Sequence, residues 1–173
     1  MQRQISEPQQ TVLPQFGVPM APLVVTNPRE LKEVVGREIG VSEWLRVTQE
    51  RIAQFAAATE DRQWIHLDRA RAAAESPYGT TIAHGFLTLS LVSHFIKDVV
   101  AVEGGVRFAV NYGLNRVRFP APVKVDSRIR ARVTLAALKE VGDAVEATFS
   151  VSIESEGGEK PNCVAEWMVR YYV

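Results

Sequence analysis

Gly85-Phe-Leu-Thr-Leu-Ser-Leu-Val-Ser-His-Phe-Ile-Lys-Asp-Val-Val-Ala101 is the stretch that decides the fold. Apolar side chains recur at Phe86, Leu89, Val92, Phe95, Ile96, Val99 and Val100, and Leu87 and Leu91 widen the stripe until the segment is apolar almost all round. A helix with so little polar surface is buried. This one would run about 25 Å at about 1.5 Å per residue. Thr88, Ser90, Ser93, His94, Lys97 and Asp98 interrupt it, which makes it too polar to span a bilayer. The expectation is a core helix around which other elements wrap.

Those elements follow it. Residues 106–119, 125–141, 144–154 and 163–173 are β-rich, with Ile129, Ala131, Val133 and Leu135 on one alternating register and Val145, Ala147, Phe149, Val151 and Ile153 on the next. Gly142-Asp143 and Gly157-Gly158 are the turns between them. Neighbouring runs joined this way pair as an antiparallel meander. The predicted class is α+β, an antiparallel sheet wrapped around a long central helix.

Working toward the N-terminus, Asp68 caps a short Ala-rich helix to about Ala74, followed by a turn at Ser76-Pro77-Tyr78-Gly79. Thr48 caps another to about Ala58, with Ile52, Phe55 and Ala56 inward. Residues 41–47 read as a strand. Asn27-Pro28 opens a helix that Gly36 stops. Residues 1–26, with Pro8, Pro14, Pro19 and Pro22 and no helical period, read as an extended or partly disordered arm. Residues 27–173 then form a single domain, and 173 residues leave no comfortable room for two.

Composition excludes several functions. Twenty Lys and Arg balance twenty Asp and Glu without a block of either sign, so no nucleic-acid footprint is expected. The single Cys163 reads as a small buried residue, with no disulfide framework and no Cys-rich zinc pattern. His66, His84 and His94 do not fall at a metal-ligand spacing. No membrane insertion is expected. The start Met-Gln-Arg-Gln lacks the apolar core of a secretion signal, so a cytoplasmic location is expected.

Chemistry concentrates at Thr59-Glu60-Asp61-Arg62-Gln63-Trp64-Ile65-His66. On a regular helix, residues five apart lie roughly 140° apart around the axis, so Asp61 and His66 act together only if residues 62–65 turn. The caps Thr48 and Asp68 leave room for that turn. A carboxylate and an imidazole beside a helix N-terminus are equipment for moving water onto or off a carbon near a carbonyl. In isolation an Asp-x4-His spacing is an ordinary loop pair; His84 reads as packing or hydrogen-bonding at the helix entrance, and His94 as a core or interface residue.

The flanking residues give the pair its context. Phe55-Ala-Ala-Ala-Thr59 before it, Ile82-Ala83-His84-Gly85-Phe86-Leu87 after it, and Gly113-Leu114-Asn115-Arg116-Val117-Arg118-Phe119-Pro120 downstream together resemble the MaoC-like, or R-specific, enoyl-CoA hydratase family. Gln63-Trp64 stands where most members carry Asn-Pro, a form that resembles the branch around nodulation protein N. The resemblance implies a hot-dog fold and reversible addition of water to a trans-2-enoyl-CoA, giving a (3R)-3-hydroxyacyl-CoA. It implies that Asp61 and His66 handle the water and that Gly85 supplies a backbone N–H to the thioester oxygen. Gln63 would orient the pair, and Ser93 would lie near the site. It also implies an acyl-CoA or acyl-carrier thioester as substrate, no separate cofactor, and a homodimer. A hot-dog thioesterase would need an acidic residue on the central helix, where only Asp98 is offered. A non-catalytic acyl-CoA-binding protein is the other alternative, for which Gln63-Trp64 speaks.

Overall fold

A computed structural model describes residues 21–173. The expectation for residues 1–20 lies outside that span. Leu23–Val25 form strand β1, which pairs in parallel with β4, Val100–Val102.

The expected helix after Asn27 is a 3-10 helix, Pro28–Val34, with the Asn27 side chain accepting from the Arg29 N–H. Residues 41–47 do not form one strand. They divide into β2, Glu38–Val41, and β3, Leu45–Arg46. Buried Ser42 fills the interruption, its hydroxyl accepting from the Ala131 N–H at 2.9 Å. Helix α1, Gln49–Thr59, is capped by Thr48 as expected, and α3, Arg69–Glu75, by Asp68. Between them a single extra turn, α2, Trp64–Leu67, carries His66.

The central helix keeps its place but not its regularity. It divides into α4, Gly85–Ser90, α5, Val92–Phe95, and a 3-10 turn, Ile96–Asp98. The polar residues that interrupt the apolar run account for this. The Thr88 hydroxyl donates to the His84 carbonyl and the Ser90 hydroxyl to the Leu87 carbonyl, and such back-bonding competes with the helix's own N–H donors. Strand β4 takes over at residue 100, one residue before the expected helix end.

The strands behave as the alternation dictates. β5, Phe108–Arg118, β6, Arg128–Val141, β7, Ala144–Ser155, and β8, Cys163–Tyr172, join β2 in a sheet ordered β2-β6-β7-β8-β5, with β3 extending β6. All these pairings are antiparallel. Ile129, Ala131, Val133 and Leu135 of β6, Phe149 and Ile153 of β7, and Trp167 and Val169 of β8 turn toward the helix. There they meet Leu87, Leu91, Val92, Phe95 and Val99, of which Phe95 is completely buried. Burying a side chain of that size contributes about 1.5–3 kcal/mol. This is the hot-dog arrangement, a sheet curled over one helix. β5 is left as an edge strand, exposed along nearly its whole length.

Candidate active site

The α1 helix ends at Glu60, whose left-handed backbone (φ 59°) reverses the chain. That reversal, with the single turn of α2, brings Asp61 and His66 together. Three contacts fix the turn. The His66 N–H donates to the Gln63 carbonyl at 3.0 Å and the Asp68 N–H to the Trp64 carbonyl at 2.9 Å. From α1, the Gln49 amide donates to the His66 carbonyl at 2.7 Å, while its oxygen accepts from the buried Thr81 hydroxyl at 2.6 Å. Arg71 of α3 lies over the Trp64 ring, 4.3 Å from its centroid. A planar cation on an aromatic face thus holds the indole in place.

The tautomer of His66 follows from its partner. Nδ1 lies 2.7 Å from the Ile82 carbonyl oxygen, which can only accept, so Nδ1 carries the proton and Nε2 keeps a lone pair. The ring is buried. Burial pushes its pKa below the ordinary 6.5. The Ile82 hydrogen bond opposes that shift, His84 adds to it, and Asp61 opposes it. At neutral pH the group is an uncharged base. The Asp61 carboxylate is more than half exposed, and one of its oxygens, one ring nitrogen of His66 and one of His84 lie within 4.8 Å of one another.

His84, expected to pack or hydrogen-bond at the helix entrance, is a third partner in the site. Its ring stacks on His66 with centroids 3.7 Å apart, and its Nε2–H donates to the Asp61 backbone carbonyl at 2.9 Å. The three side chains thus converge more closely than the histidine spacing suggested. They are nevertheless poor metal ligands as placed. Imidazole lone pairs lie in the ring plane, and the two rings are stacked at 27°, so their nitrogens do not aim at a common point.

Gly85 opens α4 beside this cluster and lines the same cavity as His66, about 230 Å³, walled by Tyr78, Phe119, Pro122 and Asn162. Among the described residues no acceptor meets its N–H. A Cβ at this position would stand 3.0 Å from the Phe119 ring, so any side chain here would have to push that ring aside. Asn162 holds the opposite wall, its amide donating to the Pro122 carbonyl at 2.9 Å.

The remaining expected site residues are elsewhere. The Gln63 side chain is exposed, and its role in the turn is its backbone carbonyl. Ser93 is exposed and lines a second, more apolar cavity of about 320 Å³ between the central helix and β5, with Phe86, Leu89, Leu114 and Trp167. Asp98 is bound to the Glu43 N–H at 3.2 Å, at the far end of the helix.

Residues 30–156 match the family model described as a MaoC like domain. The chain is 51% identical over 143 residues to 3-hydroxyacyl-thioester dehydratase Z of Mycobacterium tuberculosis, covering 82% of this chain and 93% of that one. It is 44% identical over 135 residues to nodulation protein N of Rhizobium leguminosarum, covering 78% and 84%. Among solved structures, the (R)-hydratase of A. caviae involved in PHA biosynthesis superimposes with a TM-score of 0.59 at 29% identity, covering 75% of this chain and 94% of that one.

Proposed function

The chain belongs to the MaoC-like domain family, and from that premise we infer that it is an acyl-thioester hydratase/dehydratase, acting on a trans-2-enoyl-CoA or its acyl-carrier equivalent. The observation that carries this reading is the separation of the pair. Two hydrogen bonds of about 2.8 Å meeting at one water span about 4.5 Å, and Asp61 and His66 stand within 4.8 Å. One water fits between a carboxylate and a neutral imidazole.

The pair takes the proton of that water as its oxygen attacks C3 of the enoyl thioester, and the electrons move through C2 onto the thioester oxygen. The Gly85 N–H, unpaired and in the same cavity, donates to that oxygen. Return of a proton to C2 completes a (3R)-3-hydroxyacyl thioester, and dehydration is the reverse. The water, the two side chains and the backbone suffice, so no separate cofactor takes part. Gln63 acts through the turn that presents His66, and Ser93 faces the acyl side.

The second copy belongs to the same proposal. β5 offers a free strand edge, and a bulge at residues 111–113 turns Leu114 to the inner flank beside Trp167. There Leu114 and Phe86, 44% and 70% exposed, leave apolar surface uncovered. An edge of this kind pairs readily with another strand, and a homodimer through β5 would cover it. Among the described residues no helix is long and apolar enough to cross a membrane, and the cytoplasm, where acyl thioesters are handled, is the proposed location.

The test is the product. Purified protein should remove the conjugated-thioester absorbance of a short trans-2-enoyl-CoA and yield the (3R)-hydroxyacyl-CoA, at a rate a chelator does not change. Release of free CoA, or a chelator-abolished rate, would overturn the reading.

A further inference from the structure

His84 stands at the N-cap of α4, 3% exposed, and makes no cap with its side chain. Instead its ring touches both halves of the site. One face stacks on His66 at 3.7 Å, with the Phe55 ring of α1 at 5.1 Å. Its Nε2 reaches the Asp61 carbonyl oxygen at 2.9 Å. That oxygen only accepts, so Nε2 bears the proton and Nδ1 is left as a lone pair. Nδ1 is buried and meets no donor among the described residues. A buried acceptor left unmatched is costly, and a phenylalanine would fill the space without that cost. What the imidazole supplies beyond a phenyl ring is the Nε2–H to the Asp61 backbone.

We propose that His84 is a positioning residue for the hydratase reaction: its ring sets the plane of His66 while its Nε2–H tethers the Asp61 loop, so that the two groups stay one water apart. The inference rests on the hydratase reading of the site. Small displacements of reacting groups are enough to make such a tether matter.

The stack has an electrostatic side as well. The titratable groups facing His66 are Asp61 from the α1–α2 loop, His84 from the entry of α4, and Tyr78 across the cavity. Asp61 favours a positive charge on His66, so releasing the Asp61 loop lowers the pH at which His66 takes a proton.

The experiment compares the wild type with His84→Phe and His84→Gln on crotonyl-CoA from about pH 5 to 8, the range of histidine titration. His84→Phe keeps a flat ring and loses the tether. Its kcat should fall about tenfold to a hundredfold, with KM within about twofold and the acid limb moved to lower pH. His84→Gln restores an N–H for the Asp61 carbonyl without the ring and should recover part of kcat, with the limb moved back toward the wild type. Imidazole NMR of His66 reads the same claim without turnover: its titration midpoint falls in His84→Phe. Thermal melts confirm that each protein is folded. Folded variants with wild-type kcat and an unmoved His66 midpoint would reduce His84 to packing. If the wild type is inert on crotonyl-CoA, the hydratase reading falls, and the NMR midpoint still decides whether His84 governs His66.

Discussion

Nε2 of His66 is the nitrogen that the Ile82 carbonyl leaves free, and its protonation state sets the lower end of the working pH range. Because the folded pKa lies below 6.5, more than half of the base is uncharged at that pH. We predict that the acid limb of kcat/KM has its midpoint below pH 6.5, as measured by pH–rate profiles. Gly85 makes a second prediction. Gly85→Ala keeps its N–H but drives a methyl to 3.0 Å from the Phe119 ring. It should lower kcat about tenfold, and adding Phe119→Leu should recover most of that loss. The sequence carried Asp61 and His66 clearly, because their spacing and neighbours are local. His84 was hidden because its partners, Phe55, Asp61 and His66, lie 18 to 29 positions upstream. No local pattern marks a histidine that stacks across a site.

At the level of elements, alternation made β6, β7 and β8 legible to within a few residues, since one face of each is buried. Capping did the same for α1 and α3. The interruption of the central helix was not legible from hydrophobic period, because it comes from the hydroxyls of Thr88 and Ser90 bonding backward. The bulges of β5 were equally silent. They fall between Asn111 and Gly113 and between Asn115 and Arg118, with Arg116 at φ 51°. β5 carries its own prediction: Leu114→Asp, at a position 44% exposed in the single chain, should leave the protomer folded and shift it from dimer to monomer. Size-exclusion chromatography with light scattering measures this, and an unchanged mass would place the interface elsewhere.

Across the whole molecule, the outer face of the sheet is tied by a buried carboxylate. Glu146 of β7 accepts from Lys139 of β6 at 2.8 Å and Arg170 of β8 at 2.7 Å, and Arg170 lies over Tyr112 of β5, 3.3 Å from the ring centroid. Lys139 first, then Arg170, hold the Glu146 carboxyl below its ordinary 4.5 against the opposing effect of burial. A carboxyl with a depressed folded pKa stabilises the protein above its unfolded value, and that contribution is lost as pH falls through the folded value. Glu146→Gln should therefore lower Tm by about 5 °C near pH 7 and reduce the further loss on acidification, as scanning calorimetry would show. This ladder joins four strands without touching the cavity of His66, so the variant should keep its hydratase rate.

If Asp61 and His66 hold one reacting water between them, the kcat of Asp61→Asn on a trans-2-enoyl-CoA registers it. The substitution preserves shape and removes the charge and basicity at a site more than half exposed, so the fold should survive. The kcat should fall about 10²–10⁴-fold in a protein with the wild-type melting temperature. An Asp61→Asn protein that turns over at the wild-type rate would contradict it.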